Sequence, residues 1–217
     1  MKKAKYFLII GIVFLLAAPQ AISQDNSTAK DIRFTIKTNP LSAMGGPLFI
    51  AWIVPLTAEY KVYFEAKTTE KQSIQLGLGY LGSSPLVSAI GNLDNDTTVI
   101  SSGYHAQLWY KFFMTSDKAP GWFYIAPHIS YAAARIKNNK EHDKYFDASK
   151  LTVTCDLGYQ IITKGHFALD IYTGIGLKMK SYDVNGFELS DWNLLNKTTV
   201  SVPLGFSFGY AFWGFNY

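Results

Sequence analysis

The chain has a single cysteine, Cys155, in 217 residues, so an internal disulfide is excluded. Charge is scarce: Asp, Glu, Lys and Arg make up 17% of the residues, against about 25% in ordinary soluble domains. Long apolar runs are missing too. The only extended one, residues 6–18, lies next to the N-terminus and falls short of the roughly 20 residues a membrane-spanning helix needs. Nowhere does an apolar period of 3.6 persist beyond about one turn, which argues against helical bundles and alternating α/β folds.

That first run reads as part of a leader. Lys2, Lys3 and Lys5 precede it, and the small-residue site Ala21-Ile22-Ser23 follows. This is the layout of a secretory signal peptide, expected over 1–23, with one domain over 24–217. No cysteine stands near the cleavage site, so a lipid anchor there is not expected. Three of the 20 basic residues belong to this leader, leaving 17 against 16 acidic ones, a net of about +1. Such a balance offers nothing to a nucleic-acid backbone, and no nucleic-acid partner is expected.

What the chain has in abundance is aromatic side chains (14 Tyr, 15 Phe) and 17 Gly, set in a pattern of period two. Eight segments alternate apolar with polar or small residues, the signature of strands with two different faces. Around 56–65, Leu56, Ala58, Tyr60, Val62 and Phe64 oppose Thr57, Glu59, Lys61, Tyr63 and Glu65. Around 201–212, Val202, Leu204, Phe206, Phe208, Tyr210 and Phe212 alternate with Ser201, Pro203, Gly205, Ser207, Gly209 and Ala211. In the first segment Ile32, Phe34 and Ile36 share one face, and Arg33, Thr35 and Lys37 the other. After Phe212 the aromatics change parity to Trp213, Phe215 and Tyr217, which predicts a bulge or the end of the last strand. Connections near 67–71, 116–120 and 163–165 are short, and those at 83–100, 135–148 and 181–199 are long. The expected fold is therefore all-β: a closed antiparallel up-and-down transmembrane β-barrel of about eight strands, with the short turns on the periplasmic side.

Alternation alone leaves open which face points inward, because a soluble ligand-binding barrel in the periplasm would bury the apolar one. Two features favour the opposite sense. The polar face carries Gly77, Gly79, Gly158, Gly174, Gly176, Gly205 and Gly209, small residues that suit a narrow bore and that weaken a water-exposed strand. The same face carries a near-balanced charge set: Arg33, Lys37, Lys61, Lys111 and Lys178 against Glu59, Glu65, Asp156 and Asp170. Buried charges require partners, and these nine are expected to form a network across the lumen. Glu59 with Arg33 or Lys37 is a possible salt-bridge gate, with a static plug the favoured alternative. An eight-stranded lumen is just wide enough to be filled by side chains.

Several motifs carry a resemblance. Residues 37–43 (KTNPLSA), Glu59-Tyr60, 76–80 (LGLGY), 119–124 (APGWFY) with Ser130-Tyr131, and Gly158-Tyr159-Gln160 followed by Leu169-Asp170 look like small outer-membrane β-barrel proteins whose domain is classed as of unknown function. In general form the chain also resembles OmpX and OmpA, small eight-stranded barrels. The resemblance implies an outer-membrane location, surrounding lipid and the barrel-assembly machinery as partners, and long loops free to meet an extracellular partner. It supplies no catalytic or binding residues.

Candidate chemistry is thin. His128 and Ser130 share a strand face and would suit a base–nucleophile pair, a spacing that resembles outer-membrane lipid A deacylases. Parity, however, turns both into the lumen, and Tyr131 stands where that family has Asn. Asp94, Asp96, His142 and Asp143 lie in long loops at spacings that match no metal or omptin-like pattern. Neither metal nor cofactor is expected. Cys155 is expected to face lipid, and Trp109, Trp122 and Trp192 to serve the lumen or the interfaces. The expectation is thus a non-enzymatic barrel with a closed polar lumen and a structural or surface-interaction role. The alternatives are a lipid-modifying hydrolase using His128 and Ser130, or a soluble periplasmic ligand-binding barrel.

Overall fold

A computed structural model describes residues 32–43, 57–83, 99–114, 120–138, 145–185 and 198–213. The leader, residues 84–98, 139–144 and 186–197 of the long connections, with Asp94, Asp96, His142, Asp143 and Trp192, and the tail after Trp213 lie outside the described residues.

The strands run β1 (Ile32–Thr38), β2 (Thr57–Thr69), β3 (Gln72–Ser83), β4 (Val99–Phe113), β5 (Trp122–Asn138), β6 (Tyr145–Ile162), β7 (Phe167–Asn185), β8 (Thr198–Ser201) and β9 (Leu204–Trp213). β1 to β7 pair antiparallel in sequence order, β8 and β9 both pair with β7, and β9 returns to pair with β1, closing the sheet. β8 and β9 are two pieces of one wall. Gly176 opposite Ser201 and Thr173 opposite Leu204 keep a single register across the break at Val202-Pro203. Pro203 has no N–H to give, but its carbonyl still accepts from Gly174 N at 3.1 Å. The molecule is thus an eight-stranded closed barrel.

A one-turn helix, α1 (Pro40–Ala43), follows β1. Asn39 caps it, Pro40 takes the first position, and Ser42 Oγ donates to Glu59 O at 2.6 Å, tying the turn to β2. Partner registers carried once round the sheet come back to β1 about ten residues along, which corresponds to a strand tilt of roughly 40°.

Burial follows the expected parity and its sense. Thr35, Lys37, Tyr63, Glu65, Gln75, Gln107, Trp109, Lys111, Tyr124, Thr154, Asp156, Gln160 and Asp170 are buried, while Phe34, Ile36, Val62, Leu76, Leu78, Leu108, Ile129 and Val153 are exposed. The polar face is inside.

Two expectations need correction. The register of β1 against β9 shifts between Ile32 and Phe34, a bulge that reverses the parity at the strand's start. Ile32 therefore turns inward, 2% exposed, onto Ile162, Ala168 and Ala211. Arg33 is exposed and stands outside the lumen. The irregularity expected beside Trp213 thus falls on the strand opposite it. The second concerns length. β5, β6 and β7 run to 17, 18 and 19 residues, well past the 9–11 that a crossing strand needs. Their extra residues take up 135–138 and 145–148 of the connection expected at 135–148, leaving only 139–144 between β5 and β6, and 181–185 of the one expected at 181–199.

Candidate functional site: the lumen

Parity delivers side chains to the bore, and size sorts them into layers. Toward the short-turn end sits a charge quartet of two lysines and two carboxylates. Lys37 Nζ meets Glu65 Oε2 at 2.7 Å and Asp170 Oδ2 at 2.8 Å. Lys111 Nζ meets Asp170 Oδ2 at 2.6 Å and lies 3.4 Å from Glu65 Oε2. Both ammonium groups also donate to Gln160 Oε1, at 2.9 and 2.8 Å. The remaining carboxylate oxygens are served by hydroxyls: Ser73 Oγ donates to Glu65 Oε1 at 2.5 Å, and Tyr124 OH to Asp170 Oδ1 at 2.8 Å. Lys111 also lies over the Tyr124 ring, 4.5 Å from its centroid. The quartet is neutral and every acidic oxygen has a donor, the condition under which buried ions are tolerated.

Above it lies an aromatic layer. Tyr63 and Tyr172 meet Trp109 edge-on, with centroids 5.7 and 5.9 Å away, and His128 stacks flat on the same indole at 4.0 Å. Trp109 Nε1 donates to Asp156 Oδ2 at 2.9 Å. Each luminal tyrosine rests on a glycine directly across the ladder: Tyr63 on Gly77, Tyr124 on Gly158, Tyr172 on Gly205. A Cβ at those glycines would stand 2.7, 2.2 and 2.4 Å from the ring concerned. Glycine is required there because a ring occupies the space a side chain would take.

Nearer the long-connection end, Glu59 pairs with Lys61 at 2.8 Å and also contacts His105 Nδ1. Lys150, Lys178 and Lys180 follow on the opposite wall.

Of the nine charges expected in one network, four form the quartet: Lys37, Glu65, Lys111 and Asp170. Glu59 and Lys61 make a separate pair. Asp156 belongs to the Trp109–His128 group. Lys178 is half-buried with no ion pair among the described residues, and Arg33 is outside. The gate between Glu59 and Arg33 or Lys37 does not form, because Glu65, not Glu59, lies opposite Thr35 beside Lys37. Compared with family models, curated proteins and solved structures, the chain gives no significant match to any.

Sequence reasoning missed Gln160, Ser73 and Tyr124 as quartet partners, and Lys150 and Lys180 as luminal lysines. All share the inward parity. The first three are uncharged and so escaped a search for ions, and the last two lie just beyond the ends of the alternating segments, where the strands run on.

His128 and Ser130 are both buried, at 5% and 4% exposed. His128 Nδ1 lies 3.0 Å from Thr154 Oγ1 and 3.1 Å from Asp156 Oδ2, whereas its Nε2 has no hydrogen-bond partner. The base–nucleophile bond to Ser130 is not made. Cys155 is exposed on the outer face. Among the described residues no group of three or more His, Cys, Asp or Glu is placed to hold a metal ion.

Proposed function

We propose that the protein is an outer-membrane barrel with a closed polar lumen and a non-enzymatic, structural or surface-interaction role, akin to OmpX and OmpA in general form. One observation carries this: the barrel is inside-out, with its charges buried and its large apolar side chains exposed all round the wall. A soluble monomer rarely shows contiguous apolar surface beyond a few hundred Å². Here hydrocarbon, not water, is the solvent that suits the outer wall.

The exposed aromatics support the same reading. Tyr60, Tyr80, Tyr104 and Tyr131 lie toward the long-connection ends, and Phe112, Phe123, Tyr159, Phe167 and Phe212 toward the short-turn ends. Between them lie Leu76, Leu78, Leu108, Ile129, Val153, Ile175 and Leu177. Tyr104 and Phe112 are separated by about 26 Å of strand at a rise near 3.3 Å per residue, or roughly 20 Å along the axis after tilt. Two belts flanking an apolar band about 25 Å tall are what an outer-membrane wall carries.

The non-enzymatic reading rests on the quartet and the aromatic layer filling the bore, and on a His128 ring stacked flat with no bond to Ser130. Cell fractionation and gel migration with and without boiling test the location. The protein should sediment with outer membranes and migrate differently once unfolded. Recovery in the periplasmic fraction, soluble without detergent, would reject the proposal. Ser130→Ala should leave lipid A acylation unchanged.

A further inference from the structure

We infer that the long-connection end of the lumen is a binding site for a small soluble oxyanion of the phosphate type. The inference rests on the barrel fold and its parity, not on the membrane assignment. Lys150 on β6 stands directly opposite Lys180 on β7, and Lys178, two residues along, shares the same inward face. Side chains opposed in this way have Cβ atoms about 5 Å apart, and like charges so placed repel. All three are half-buried, so water screens them incompletely.

Among the described residues none of these three lysines has an ion pair. Among the described residues the charged groups that act on Lys150 most are Glu59, Lys61, Lys178 and Lys180, one acid against three further lysines. That one acid is already engaged by Lys61 and His105. The lower lumen differs: there two lysines meet two carboxylates.

Two further observations point to a ligand. The inward residues beside the lysines, Ala132, Thr152 and Ser201, have short side chains, where the layer below carries Tyr63, Trp109 and Tyr172. Opposite Lys178 stands Thr199, whose buried hydroxyl has no hydrogen-bond partner. Ammonium groups and a spare hydroxyl are all donors, and a tetrahedral oxyanion supplies only acceptors. The strand wall separates the bore from the outer surface of the barrel, so the ligand enters along the bore.

The test uses the full-length barrel refolded in a neutral detergent and titrated with inorganic phosphate by calorimetry and phosphorus NMR. Binding should be saturable, and sulfate should compete where ammonium chloride of equal ionic strength does not. Lys150→Gln and Lys180→Gln should each weaken binding by about tenfold, and Thr199→Val by a few-fold. Lys164→Gln, in the β6–β7 turn, should leave it unchanged. Unaltered heat-modifiable migration of each variant confirms folding, and Thr199→Val serves if a lysine variant fails to fold. Absence of saturable binding, or binding indifferent to all three changes, would overturn the inference. So would displacement of phosphate by phosphatidylglycerol added to the micelle, since the occupant would then be a lipid headgroup.

Discussion

Lys111 shows how much a single buried side chain carries here. Its ammonium group is fully enclosed, touching Asp170, Glu65 and Gln160 and lying over the Tyr124 ring. Lys111→Met keeps the volume but leaves two buried carboxylates to share Lys37. Breaking a buried network on one side typically costs about 3–5 kcal/mol. Urea unfolding of the variant in vesicles should show a loss of that order, and the double variant Lys111→Met with Glu65→Gln should lose less. Equal losses would mean that the two residues do not act as a network. Gly158 fails for a different reason. Its absent side chain is the room in which Tyr124 lies, so Gly158→Ala should cost about 1–3 kcal/mol through overpacking. Adding Tyr124→Leu to it should recover part of that loss, because the obstructing ring is gone, even though its hydroxyl bond to Asp170 goes with it.

Under the proposed membrane reading, elements differ in which solvent their outer face meets. A lysine at Leu76, in the apolar band of β3, should cost about 2–4 kcal/mol of folding stability in a bilayer. In a water-soluble barrel the same change would be neutral or helpful, so folding into vesicles discriminates between the two. The extended ends of β5 and β6 behave otherwise. There Arg135 grips Asp147 through two hydrogen bonds of 2.7 and 2.6 Å and stacks on Tyr145. The guanidinium holds the Asp147 carboxyl below its usual range. A depressed acid contributes stability above its unfolded value near 3.9 and loses it as pH falls through the folded one. The tips of β5 and β6 should therefore exchange amide hydrogen faster below about pH 4, while the lower barrel does not. Asp147→Asn should remove that dependence. The effect is local, because the pair is solvent-exposed.

Over the whole molecule, closure matters most. An open sheet of this composition would offer an unpaired edge and a greasy face to any neighbour, and joining β9 to β1 removes the edge. The seam carries the register shift beside Ile32, and Ile32 fills the bottom of the bore with Ile162, Ala168 and Ala211. Ile32→Asp would place an unpaired carboxylate in that apolar cluster. We expect the barrel to close poorly, seen as loss of heat-modifiable migration, while Arg33→Asp, one residue on and exposed, leaves migration intact. If the two variants behaved alike, the bulge would not set the facing of the strand.

Period-two alternation, with glycine and charge on one face and large apolar residues on the other, was enough to specify eight strands and the sense of the barrel. Parity is a local property, and every inward residue from Tyr63 to Ser207 obeys it. Partnership is not local. Whether Lys37 meets Glu59 or Glu65 depends on register, and register is decided when all the strands close together. The bulge that turns Arg33 out, the reach of β5 to β7 beyond the apolar band, and the gathering of Lys150, Lys178 and Lys180 at one end of the bore likewise belong to the closed sheet. Sequence determined which side of each strand is polar; tertiary structure decided which polar groups meet, because hydrogen bonding across the barrel joins residues more than a hundred positions apart.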